Sequence, residues 1–99
     1  MRGPEGKFQD TVVKWLKAQG CRVVKNDPLI GRQKGIPDLL ALKGGFWLML
    51  ECKASKNAPK QPGQENWIQF ADENSYGAFV WPGARWEQVK AELGEMLRD

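Results

Sequence analysis

Histidine is missing from this chain altogether, and cysteine occurs only twice, as Cys21 and Cys52. The first absence excludes Ser-His-Asp and Cys-His chemistry and the ordinary zinc ligand sets. Any metal bound here must be held through oxygen, which points to magnesium, manganese or calcium. The two cysteines form neither a CxxC pair nor a disulfide framework, so they read as small buried hydrophobes in a reducing compartment, with no disulfide. No stretch approaches the roughly 18 consecutive apolar residues that a membrane span requires. The opening Met-Arg-Gly-Pro-Glu-Gly-Lys-Phe-Gln lacks the apolar run of a signal peptide. The expectation is one soluble, intracellular domain over residues 1–99, with no membrane contact.

What is present is an ordinary globular balance with a mild basic excess. The net charge of +3 permits nucleic-acid binding without requiring it. Its distribution says more. Lys25, Arg32 and Lys34 precede the pair Asp38 and Glu51, and Lys53, Lys56 and Lys60 follow it, so two acids sit in basic surroundings, as a site for a polyanion requires.

The apolar spacing predicts a helix from Pro4 to Gln19, through Phe8, Val12, Trp15 and Leu16, stopped by Gly20. Cys21 to Lys25 is a short β-type run, and Asn26 to Gly35 an exposed loop. Ile36 to Ala54 reads as a β-hairpin divided by Gly44-Gly45. Ser55 to Gly63 is polar and proline-bearing, read as a mobile loop. Gly63 to Ser75 is a second helix, Ala78 to Trp81 a strand, and Ala84 to Arg98 a last amphipathic helix. The order is α-β-β-β-α-β-α, a single α/β domain.

The hairpin makes a geometric claim. A two-residue turn at Gly44-Gly45 sets Lys43 against Phe46 and therefore Asp38 against Glu51. Opposed residues of an antiparallel pair leave the same face, about 4.5–5.5 Å apart at Cβ. Two carboxylates there repel unless a cation lies between them, and a divalent metal is the economical one. Strand alternation returns Lys53 to that face and turns Cys52 away. Apart from these, both hairpin faces are apolar, with Leu40, Leu42, Trp47 and Met49 on one and Leu39, Ala41, Leu48 and Leu50 on the other. Such strands are expected to be covered on both sides by helices. Glu5 and Gln64 each continue the apolar stripe of their helix, placing them at its rim over the end of the sheet.

Bland readings stand beside these. Glu51 and Lys53 also suit a plain ion pair, Glu5 a first-turn acid favoured by the helix dipole, and Gln64 an inert polar residue at a helix start. Trp15, Trp67, Trp81 and Trp86 read as core, and the lysine-bearing loops as solvated.

Gly35-Ile-Pro-Asp followed by Glu51-Cys-Lys53 resembles the PD-(D/E)XK nuclease superfamily. With Glu5 and Gln9 ahead and Gln64 opening Glu-Asn-Trp-Ile behind, the order resembles the VRR-NUC family, the virus-type replication and repair nucleases, over nearly the whole chain. Cys52, where an aliphatic residue is commoner, and Pro62-Gly63 before Gln64 are mild departures. The resemblance implies a restriction-endonuclease-like fold with a central mixed sheet flanked by helices. It implies Asp38, Glu51 and Glu5 as ligands of Mg2+ or Mn2+, with the backbone carbonyl of Cys52 joining them. Lys53 would be the catalytic lysine and Gln64 an accessory site residue. A stand-alone member is expected to be a homodimeric endonuclease of branched DNA, resembling Holliday junction resolvases and serving DNA repair in the cytoplasm of a bacterium or phage-infected host. Lys25, Arg32, Lys34, Lys56 and Lys60 would hold the DNA backbone. The alternatives are a flap, nicking or restriction-type nuclease of the same fold, or a DNA-binding module that does not cut.

Overall fold

Proline and glycine mark the element ends. Pro4 occupies the first turn of helix α1 (Pro4–Ala18), where its missing N–H costs no intrahelical bond. Gly44, at φ +59°, supplies the left-handed turn between strands β2 (Leu39–Lys43) and β3 (Phe46–Cys52). The computed structural model describes residues 3–26 and 35–98. Its other elements are strand β1 (Arg22–Lys25), helix α2 (Gln64–Asn74), strand β4 (Gly77–Val80) and helix α3 (Ala84–Met96). This is the expected order. The sheet runs β1-β2-β3-β4 and is mixed, with β1, β2 and β3 antiparallel and β4 parallel to β3, an arrangement consistent with a restriction-endonuclease-like fold. Among the described residues no helix is long and apolar enough to cross a membrane.

The predicted register holds: Lys43 faces Phe46 and Leu39 faces Leu50. It separates two faces of unequal cover. Leu39, Ala41, Leu48, Leu50, Cys52, Ala78 and Val80 are buried with Phe8, Val12 and Leu16 of α1 and Trp86, Val89 and Leu93 of α3 in one core. Burying a side chain of this kind contributes about 1.5–3 kcal/mol. Trp86 seals the contact between the two helices, edge-on to Phe8 at 5.9 Å and to Trp15 at 5.5 Å. Lys43 ties the hairpin to the end of α3, its Nζ donating to the Leu97 carbonyl at 2.6 Å.

The opposite face meets the expectation only in part. Leu40, Leu42, Trp47 and Met49 lie there, but they are not fully covered, and Val24, Leu42 and Phe70 are each two-fifths or more exposed. The cause is the placement of α2, which packs on β3 and β4 and leaves the β1–β2 half of this face open.

Candidate active site

Asp38, Glu51 and Lys53 meet at the end of the half-covered face, and α2 closes over them through its first residue, Gln64. All four side chains are more than nine-tenths buried. Two carboxylates and an ammonium in such a place are costly without partners, and the partners are specific. The ladder ends at Leu39–Leu50, and one step beyond it the two carboxylates take over the bonding between the strands. The Asp38 N–H donates to Glu51 Oε1 at 2.9 Å, and the Cys52 N–H donates to Asp38 Oδ2 at 3.1 Å.

Gln64 joins the acid to the lysine. Its Nε2 donates to Glu51 Oε2 at 2.9 Å, while its Oε1 accepts from Lys53 Nζ at 3.0 Å and from the Gln61 N–H at 2.9 Å. Lys53 Nζ also donates to the Pro59 carbonyl at 2.8 Å and stands 3.7 Å from Glu51 Oε2. The expectation of a mobile loop from Ser55 to Gly63 is thus corrected at two points, because the backbone of Pro59 and Gln61 supplies bonds that a buried cation and amide require. Nothing in the composition of that loop signals this.

Pro37 is a second feature that motif reading passed over. In a hairpin closed by a two-residue turn, alternate pairs are hydrogen-bonded; Leu39–Leu50 is the last such pair, and the alternation carried past it would set Pro37 opposite Cys52, whose N–H is taken instead by Asp38. The Lys53 N–H turns the other way, to the Val80 carbonyl at 2.8 Å, as the alternation requires. Pro37 has no N–H, so at this step the ladder offers the Cys52 carbonyl no donor. With Asp38 and Glu51 that carbonyl makes a set of hard oxygens, which suits Mg2+ or Mn2+. The Cys52 thiol lies on the other face. Burial first, then the charges of Asp38, Glu51 and Glu5, push its pKa far up, so it stays protonated and is no thiolate ligand.

Glu5 belongs to this neighbourhood less directly. It lies half-buried in the first turn of α1, and its charge is the smallest of those that push the Cys52 thiol up. Among the described residues no three acidic, cysteine or histidine side chains gather to hold a metal. The fit therefore rests on two carboxylates and a carbonyl, and Mg2+ commonly takes one or two carboxylates with water and substrate phosphate.

Of the basic residues, Lys60 reaches the face of the acids, its Nζ lying 4.4 Å from the Phe79 ring centroid and 4.0 Å from Glu65. Lys25 pairs with Leu39 and so lies on the opposite face, Lys56 is exposed on the connecting loop, and Arg32 and Lys34 fall outside the described residues.

The model of the archaeal Holliday junction resolvase (Hjc) family matches residues 5–96. No curated protein and no solved structure gives a match.

Proposed function

Because the chain belongs to the archaeal Holliday junction resolvase family, a branch of the PD-(D/E)XK nucleases, we propose that it is a Mg2+- or Mn2+-dependent endonuclease that cuts branched DNA as a homodimer. The observation that carries this reading is the buried network Asp38–Glu51–Gln64–Lys53. A module that only binds DNA has no use for two opposed acids and an ammonium held at this cost.

Asp38, Glu51 and the Cys52 carbonyl would hold the metal, with Glu5 behind them. When bound, it supplies Lewis-acid polarisation of the scissile phosphate and a water of lowered pKa. The chain's own residues do the rest. Lys53, aimed by Gln64 and Pro59, presents a fixed positive charge where negative charge develops on the phosphate and orients the attacking water. Gln64 keeps Glu51 and Lys53 apart as separate groups, because its amide takes up the carboxylate oxygen that the ammonium would otherwise bind directly. Lys25, Arg32, Lys34, Lys56 and Lys60 hold the DNA backbone without reading bases. Paired cuts need two sites, hence two copies. The open apolar half of the sheet, which displays Val24 and Leu42, with Phe70 of α2 at its border, is the surface offered for a second copy. The VRR-NUC likeness of the motif order is kept as a finer reading with the same junction substrate, and a flap, nicking or restriction-type nuclease of the same fold is the alternative.

The test sets a four-way junction, a flap and a linear duplex against the protein with Mg2+ or Mn2+. Wild type is expected to nick the junction at symmetric positions. Asp38→Ala and Lys53→Ala are expected to slow this by at least about 100-fold, on the scale of removing a group that stabilises developing charge. Wild type that binds every substrate and cuts none would overturn the reading. Preference for the flap would favour the alternative.

A further inference from the structure

Beside the acids, the face carries a second group of side chains that the motifs leave without a task. Strands β3 and β4 run parallel with Glu51 against Phe79, so Phe79 and, by alternation, Trp81 share the face of Glu51 and Lys53. Both rings are half-buried, which corrects the reading of Trp81 as core. Each carries a cation. Lys60 Nζ lies 4.4 Å from the Phe79 centroid, and the Arg85 guanidinium carbon 5.5 Å from that of Trp81. Arg85 Nε also donates to the Phe79 carbonyl at 2.9 Å, and its Nη1 donates to Gln88 at 3.2 Å. These partners of Arg85 are all neutral.

The helix dipole opposes a cation at the position of Arg85, which lies in the first turn of α3. Capping the edge of β4 needs one N–H donor, which an uncharged side chain could provide. A guanidinium and an ammonium resting on two half-open rings, in the same rows as Glu51 and Lys53, match a nucleotide: a phosphate for the cations and a base for the ring.

We propose that Trp81, Arg85 and Lys60 form a shelf for the nucleotide next to the scissile phosphate. Arg85 and Lys60 take its phosphate, and Trp81 stacks on a base left without a neighbour where a branch interrupts the duplex. Stacking of this kind tolerates any base, so the shelf selects an open branch and not a sequence. This rests on the junction-nuclease reading and deepens it by naming the residues that recognise the branch.

The experiment measures binding without cutting. Asp38→Asn protein is titrated onto a four-way junction carrying 2-aminopurine at the crossover, and onto a linear duplex. Binding is expected to change the 2-aminopurine emission. Adding Trp81→Phe should keep that change. Adding Trp81→Leu, apolar but without a π face, should abolish it and weaken junction binding about tenfold, with duplex binding altered less than twofold. Arg85→Gln, which retains a donor for the Phe79 carbonyl, should weaken the junction and lower its salt slope by about 1. An emission change that survives Trp81→Leu overturns the proposal, as does equal weakening of junction and duplex. If Trp81→Leu does not fold, an unchanged salt slope in Arg85→Gln overturns it. Cleavage by wild type is scored separately, so an inactive enzyme would sink the nuclease reading without deciding the shelf.

Discussion

Glu51 and Lys53 are two residues apart on one strand, yet their charged atoms stand 3.7 Å apart while Gln64 reaches both at 2.9 and 3.0 Å. An amide suits that place because it offers a donor to the carboxylate and an acceptor to the ammonium, without adding charge. Gln64→Glu reverses the donor and sets two acids together. Its cleavage rate is expected to fall at least tenfold at pH 8 and to recover in part as pH falls toward 5, because the protonated carboxyl again donates to Glu51. Gln64→Ala should lose rate at every pH, with the substrate KM nearly unchanged and stability lowered by about 1–3 kcal/mol for the two partners left short. A pH–rate series on both variants reads the difference, and parallel profiles would refute the bridging role. The sequence shows that Gln64 continues the α2 stripe, and hence that it faces inward. It does not show which atoms the amide joins, because Pro59 and Gln61 enter the network through backbone groups that any residue carries.

At the scale of elements, the hairpin was legible because Gly44-Gly45 sets the turn and the side-chain period of two carries the register from Lys43 down to Asp38. The depth at which α2 packs was not, since it depends on the missing side chain of Gly77. A Cβ there would lie 2.8 Å from Ala71 Cβ and 2.9 Å from the Asp72 nitrogen, inside the helix that follows β3. Gly63 matters similarly. At φ +89° it starts α2 with its Cα against Gly35, so the loop before Gln64 touches the loop before Asp38. What looked like a departure at Pro62-Gly63 is the contact that joins the two halves of the site. Gly77→Ala is therefore expected to cost about 1–3 kcal/mol by overpacking, a fall of roughly 5–20 °C in Tm. It should also slow cleavage, because the displaced helix carries Gln64. Gly94→Ala, in α3 with nothing within 4 Å, should instead raise Tm slightly. Thermal melts of the two variants give the contrast, and equal effects would show that close approach of α2 is not what Gly77 provides.

The whole molecule is asymmetric across its sheet. Among the described residues, one face is sealed by α1 and α3, and the other is covered by α2 only over β3 and β4. The expectation of helices on both sides came from apolar residues on both sides, and it holds, but on the α2 side the cover is partial, because side-chain pattern does not say how far along the sheet a helix reaches. Val24, Leu42, Trp47 and Phe70 are apolar side chains on this side, with Trp47 6.4 Å from Phe70 and the exposed Arg22 beside Leu42 at the edge, and a soluble monomer seldom leaves a large apolar patch open. An apolar patch rimmed by Arg22 is complementary to itself where its apolar centre meets its own copy, as a twofold contact requires. Replacing Phe70 or Leu42 by Asp places a charge where a lone chain would tolerate it, both positions being exposed, but where a dimer would not. Either variant is expected to raise the dimer dissociation constant by at least about 30-fold, the effect of losing one central anchor. Sedimentation should show a monomer at concentrations where wild type is paired. Wild-type Tm should rise with protein concentration while that of Phe70→Asp does not. Junction cleavage would then turn from two symmetric cuts into single, uncoupled nicks, because the proposed site residues Asp38, Glu51, Lys53 and Gln64 come together within one chain. Variants that sediment as wild type does would place the dimer elsewhere on the molecule, and a wild type that is monomeric while still making paired cuts would remove the need for one.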